Sequence, residues 1–440
     1  MGWELQRRGK RVRRPDVTAL RRGQADPRLS GCGGLPAFAA FLQKQHFGAS
    51  LRQLFGHLKT GAGVVYPMHT QLQLLIDAFA VGARRVFDFE RLAADPIFVH
   101  LAGGAVPSID VLYDDLRRFE AHDLEGLEAL LAEQALHPLR DVVQGSVTLD
   151  VDTTVMPLFG SQEGALPGPN PRYHGRPSYH PILARIAETD TLVGARLRPG
   201  NTGLGEDDIE DVEQWIDRVR EVVGPRVVMT VRLDAGGDCG SLLEALDKKG
   251  VHFIIKAKQT PRFLGAAVHH LSWTTVDQDA DGAPSRQVAV LDVKRDDWPA
   301  GRFRVIAVRS NDRFSGRQTC LWDDLDHSVQ FFVTNDLHSD PSDIAWNYDA
   351  RAGIEGTIRE LKQNLAIGAV STDCFDANEA AFLLKILTYN LLRRWIRAEH
   401  TEVIHWSISW SRTALLCVPA RLLRSGGRWE LRIAPHPLLN

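Results

Sequence analysis

Tyr348, Arg351, Glu355 and Lys362 stand inside NYDARAGIEGTIRELKQ at a spacing that can set a carboxylate between cations. On a continuous α-helix, at about 100° per residue, the four side chains share an arc of about 60° on one face. Ile354, Ile358 and Leu361 run beside that arc, a stripe able to press on a core while Glu355 looks sideways into a site. Such a face can ligate a divalent cation through the carboxylate and grip phosphate through Arg and Lys. The same spacing also suits ordinary Arg-Glu pairing on a solvated helix, with the cations merely holding Glu355 in place. Gly353 and Gly356 cost up to about 1 kcal/mol each relative to Ala, so tertiary packing must hold this helix.

A second and third carboxylate stand where strands are expected. In VTLDVD from residue 147 the period is two, placing Val147, Leu149 and Val151 on one face and Thr148, Asp150 and Asp152 on the other. Strand-like runs follow at 180–188 and 191–200, then a helix in DDIEDVEQWIDRVREVVG, the strand RVVMTVRLD ending at Asp234, a helix in SLLEALDKKG and the strand VHFIIKAK. The order is β-β-β-α-β-α-β, with acids on the first strand and the fourth. This is the layout of a ribonuclease H-like fold, whose chemistry needs carboxylates on those two strands and on a helix packed against them. Asp152, Asp234 and Glu355 occupy the three places. Asp150 shares the face of Asp152 and is an alternative first ligand, while Asp238 reads as the N-cap of the following helix or as an alternative ligand.

With these residues the chain resembles bacterial insertion-sequence DDE transposases of the subgroup marked by a Tyr-Arg-Glu-Lys signature, from about residue 65 to the C-terminus. Asp152-Thr153-Thr154 matches the family's first acid with its small hydroxylated followers. Asp234 matches the second, at a strand end before a helix and a strand, and Glu355 is the Glu of the signature. The resemblance implies that Asp152, Asp234 and Glu355 are catalytic and bind two Mg²⁺ ions, with Mn²⁺ as a possible substitute, and that Tyr348, Arg351 and Lys362 contact DNA. Water would release a 3′-hydroxyl at the element end, and that hydroxyl would attack target DNA. The implied partners are double-stranded DNA, as terminal inverted repeats and as target, and a second copy in a homodimer; excision through a DNA hairpin is a further expectation. Another ribonuclease H-like metal-dependent endonuclease, or a catalytically silent transposase-derived DNA-binding protein, are the alternatives.

The rest of the chain sets the frame. At 440 residues, about 150 per domain suggests roughly three units. Hydrophobic content of 44% with 24% charged residues is ordinary globular composition. Residues 1–34 read as a flexible basic arm, with Arg7, Arg8, Lys10, Arg11, Arg13, Arg14, Arg21 and Arg22 suited to a polyanion. Residues 35–140 read as an all-α DNA-binding region in which Ser108 caps a helix over 109–119, compatible with a helix-turn-helix. Residues 141–260 and 341–400 form the two parts of an α/β core, and 261–340 a β-rich insertion lacking helical periodicity. Residues 401–440 are a tail with a basic β-hairpin around Gly426 and Gly427.

Several chemistries are excluded. Cys32, Cys239, Cys320, Cys374 and Cys417 form no CxxC pair, and the 16 histidines show no zinc-ligand spacing. GNTGLG lacks a dinucleotide-binding spacing, and there is no Walker loop or HExxH. Trp395 and Trp406 read as packing residues. No apolar run reaches the roughly 18 residues of a membrane span, the nearest being broken by Lys385, and no signal-peptide segment opens the chain. A cytoplasmic, nucleoid-associated protein without a membrane is expected.

Overall fold

The period-two run VTLDVD becomes strand β1 (Ser146–Thr153) at the heart of a mixed sheet. The other strands are β2 (Ile182–Ile186), β3 (Thr191–Arg196), β4 (Val228–Leu233), β5 (His252–Lys256), β6 (Thr274–Gln278), β7 (Pro284–Leu291), β8 (Arg304–Asn311) and β9 (His327–Thr334). The computed structural model describes residues 18, 21, 23–170, 174–293, 295–298, 302–311 and 327–439. Among them nine strands lie in the order β6-β7-β8-β9-β5-β4-β1-β2-β3. β1 is parallel to β4, and β4 to β5, whereas β1-β2, β2-β3 and β9-β5 are antiparallel. The β-rich segment after residue 260 therefore continues the same sheet through β9 instead of folding apart from it. It also contains a helix, Pro261–Val268, started by Pro261 and by the Thr260 hydroxyl accepting from the Phe263 amide. The expectation of no helix there is corrected: one capped two-turn segment is too short to dominate the periodicity.

Both faces of the central strands are covered, as a parallel sheet centre requires. Val147, Leu149 and Val151 pack in one core with Leu136 of helix α1 (Ala121–Leu136), Trp215 of α2 (Ile209–Val223) and Leu243 of α3 (Gly240–Lys248). The opposite face of β1 carries Asp150 and Asp152 and meets α5 (Ala352–Asn364), while α4 (Pro341–Asp349) packs on the same sheet at β5, β7 and β8. Helix α6 (Phe375–Glu399) follows, and its Leu383 and Trp395 share a second core with Ile354, Leu361, and Phe38, Leu51, Phe55 and Leu127 of the N-terminal helices. Each fully buried side chain of that size contributes about 1.5–3 kcal/mol.

Lys385, the charge that interrupts the longest apolar run, is buried and donates to the carbonyls of Ala366 at 2.8 Å and Ala369 at 3.0 Å. No helix among the described residues is long and apolar enough to cross a membrane. At the N-terminus, Arg7, Arg8, Lys10, Arg11, Arg13, Arg14 and Arg22 of the expected arm lie outside the described residues. Later in that segment, Leu29–Ser30 pair with Ala420–Ser425, the first strand of the C-terminal hairpin whose second strand is Arg428–Ile433. Ser108 caps Ile109–Leu116, shorter than expected, and Trp395 is buried.

Candidate active site

The sheet register builds the site. Asp150 stands opposite Arg185 of β2 on one side and Arg232 of β4 on the other. Both guanidiniums close on it: Arg185 Nη1 donates at 3.0 Å, Arg232 Nε at 2.6 Å and Arg232 Nη2 at 3.0 Å. Asp150 is 0% exposed and both its oxygens are held by guanidinium donors. Two residues on, the same parallel register carries Asp152 toward the end of β4, where Asp234 follows Leu233. Asp234 begins a single 3-10 turn, its Oδ1 accepting from the Gly236 amide at 2.9 Å.

Asp152, Asp234 and Glu355 line one cavity of about 620 Å³, together with Thr153, Thr154, Lys256, Gln330, Tyr348 and Arg351. Burial first, and the charge of Asp234, push the Asp152 carboxyl up to about 6 against the opposing pull of Arg351. Glu355 projects from the first turn of α5 with its side chain 63% exposed. The cavity carboxylates do not form a group with one oxygen each inside 4.8 Å; among the described residues the one trio that does lies elsewhere. Three hard oxygen donors around one polar cavity are nonetheless a fitting donor set for a divalent cation.

The signature residues do not share one continuous helix. Backbone bonds from Arg351 N to Tyr348 O and from Ile354 N to Arg351 O tighten the chain into a 3-10-like corner, so α4 ends at Asp349 and Arg351 is the N-cap of α5. The single-face expectation is corrected: Tyr348 belongs to α4, and the corner brings it back to the cavity by a different route. Its ring packs on Phe332 with centroids 4.4 Å apart, and burial pushes its hydroxyl up to about 12, so it is a neutral donor. Arg351 is buried; its Nη2 lies 3.1 Å from Asp152 Oδ1 and donates to the Val151 carbonyl at 3.2 Å, while Nη1 is 3.9 Å from Glu355 Oε1. Its Nε has no hydrogen-bond partner. Lys362 reaches the Val155 carbonyl at 3.0 Å. Arg351 and Lys362 thus tether α5 to the end of β1 on either side of Asp152.

Gly353 explains how α5 comes so near. A Cβ there would stand 2.8 Å from Arg185 Nη1, so the helix rests on the ionic layer below the cavity, whereas Gly356 faces open space. Thr357 donates to Asp190 at 2.9 Å, and Asp190 in turn holds Arg185 at 2.9 Å. Asp238 is not the N-cap of α3. Cys239 precedes α3, and Asp238 is buried against Arg295 at 2.6 Å with its Oδ2 accepting from the Lys258 amide at 2.7 Å. Nothing local in the sequence marks Lys256 and Gln330; the last residue of β5 and a residue of β9 two places from its register partner Phe332 reach the cavity only through the sheet order.

A family model described as transposase DDE domain group 1 matches residues 10–438. No curated protein matches the chain significantly. Among solved structures, one described as a cryo-EM structure of piggyBac transposase synaptic complex with hairpin DNA has 9% sequence identity and a TM-score of 0.45, covering 87% of this chain and 80% of that chain.

Proposed function

The chain belongs to the DDE transposase family, and from that membership we propose that it cuts and joins DNA at the terminal inverted repeats of a bacterial insertion sequence. The observation that supports this reading best is the convergence of Asp152, Asp234 and Glu355 on one polar cavity at the end of adjacent parallel strands. Those three carboxylates would hold two divalent cations, Mg²⁺ by the oxygen character of the set and Mn²⁺ as a substitute. When bound, such a pair activates an attacking oxygen and stabilises a leaving one in phosphoryl transfer.

The chain's own residues prepare that chemistry. Arg351 holds Asp152 in place and balances its charge, and its guanidinium lines the cavity in which a phosphate would be gripped. Lys362 fixes the backbone at Val155, so its expected DNA contact would come from the same position on the flank of Asp152. Tyr348, protonated throughout the working range, donates a hydrogen bond to phosphate or presents its ring to a displaced base. In this reading the sheet around β1 is a ribonuclease H-like core, the helices of 35–140 and the basic arm recognise the inverted repeats, and the signature subgroup's dimeric complex and hairpin excision carry over. Strand transfer separates it from a plain endonuclease, which does not join ends.

The test is cleavage of DNA carrying the sequences that flank the gene. With Mg²⁺ the wild type should release a 3′-hydroxyl at the element boundary, and Asp234→Asn or Glu355→Gln should not. Unchanged cleavage by either variant would remove the catalytic assignment.

A further inference from the structure

The trio whose ligand atoms all lie within 4.8 Å of one another is His57, His122 and Asp123, far in sequence from the cavity carboxylates. His57 sits in the 3-10 turn Gly56–Leu58 that follows helix Phe47–Phe55, and His122 and Asp123 open helix Ala121–Leu136. His57 Nε2 is 2.9 Å and His122 Nε2 3.4 Å from the same oxygen, Asp123 Oδ1. The Asp123 side chain is 1% exposed. Its Oδ2 accepts from the Glu120 amide at 3.0 Å, whereas Oδ1 accepts no hydrogen bond, since neither ring nitrogen meets it with bonding geometry. A buried carboxylate oxygen left without a donor, faced by two imidazole nitrogens, is costly as it stands.

We propose that His57, His122 and Asp123 form a binding site for a divalent transition metal ion of the zinc class. With metal-ligand distances of about 2.0–2.2 Å, the edges of a tetrahedral site are roughly 3.3–3.5 Å, close to the nitrogen-oxygen separations here. Two imidazoles and one carboxylate suit Zn²⁺ and its neighbours, not Mg²⁺ or Ca²⁺, and leave a fourth position for water. The frame exists without the ion: Phe55 and Phe119, two residues before His57 and three before His122 in the chain, are both buried and meet with ring centroids 5.6 Å apart. The ion would clamp the Phe47–Phe55 helix and its following turn to the long helix that begins at Ala121.

Metal-stripped full-length protein is titrated with Zn²⁺ against a chromophoric chelator at neutral pH, with millimolar Mg²⁺ present to compete at oxygen-rich sites. One equivalent of Zn²⁺ should bind, and Co²⁺ in its place should give the visible absorption of a low-coordinate ion. The double variant His57→Gln/His122→Gln should bind at least about tenfold more weakly, the smallest loss expected when even a ligand's outer partner is removed. Both histidines are more than half exposed, at 51% and 65%, so the fold should persist; should the double variant fail to fold, His57→Gln alone carries the same expectation. Glu355→Gln should leave Zn²⁺ binding unchanged. Absence of binding by the wild type, equal affinity in the histidine variants, or a loss that follows Glu355→Gln overturns the site.

Discussion

Asp150 and Asp152 stand two residues apart on the same face of one strand, yet their surroundings are opposite. Asp150 is locked between two guanidiniums supplied by its cross-strand neighbours, below the reach of solvent. Asp152 has one arginine, a like-charged neighbour in Asp234 and an open cavity before it. The lower layer is a structural clamp on which α5 rests through Gly353, and the upper layer is a site held open and short of countercharge. A buried pair so complete resists the loss of either partner, whereas an under-compensated carboxylate is poised to take a cation.

The largest effect expected from this contrast is on activity. Asp152→Asn should lower metal-dependent DNA cleavage by at least about a hundredfold, the scale of removing one electrostatic stabiliser from a reacting centre, while leaving the melting temperature equal or higher. Asp150→Asn should do the reverse in stability: two buried arginines lose their anion, at a cost of about 3–5 kcal/mol measured by denaturant unfolding. If the two variants were equally destabilised, the distinction between clamp and site would be lost.

Next comes the contact between the layers. Gly353→Ala should push α5 off Arg185 and cost about 1–3 kcal/mol, while Gly356→Ala, facing open space, should stabilise by up to about 1 kcal/mol. Equal effects of the two substitutions would mean that α5 does not rest on the ionic layer.

The smallest effect is the titration of Asp152 in metal-free protein. Burial first, and the charge of Asp234, push its carboxyl up to about 6 in the folded state, above the ordinary value of 3.8. Between those values the folded state retains a proton that the unfolded state has released, so this group's contribution to stability is present at low pH and is lost as pH rises through the window. The Asp152→Asn variant should lack that slope. Cation affinity should move the opposite way, rising between about pH 5 and 7 as the proton leaves, which titration calorimetry with Mg²⁺ measures. A flat affinity across that range would show Asp152 is not a ligand.

Much of the layout was legible because it is local. Strict alternation around Val147 marked the central strand, the run ending at Asp234 marked its parallel neighbour, and the signature placed Glu355 on a helix. What escaped the sequence is what register and corners decide. Asp150 could be told from Asp152 only once Arg185 and Arg232 were known to lie opposite it. The corner at Arg351 leaves the spacing intact while splitting the helix, so a helical wheel describes Tyr348 wrongly. Asp238 looks like a cap by position but is claimed by Arg295 and the Lys258 amide from the neighbouring segment. The histidine trio joins position 57 to positions 122 and 123, a spacing without a local pattern.

The central claim, that Asp152, Asp234 and Glu355 together form a DNA-joining site, is tested most directly by strand transfer. A pre-cleaved duplex ending in the element's 3′-hydroxyl terminus is incubated with supercoiled plasmid, Mg²⁺ and either wild-type protein or Asp234→Asn. Covalent joining by the wild type and none by the variant is the predicted result. Joining that persists undiminished in the variant, or a wild type that nicks the plasmid without ever joining the end, would contradict it.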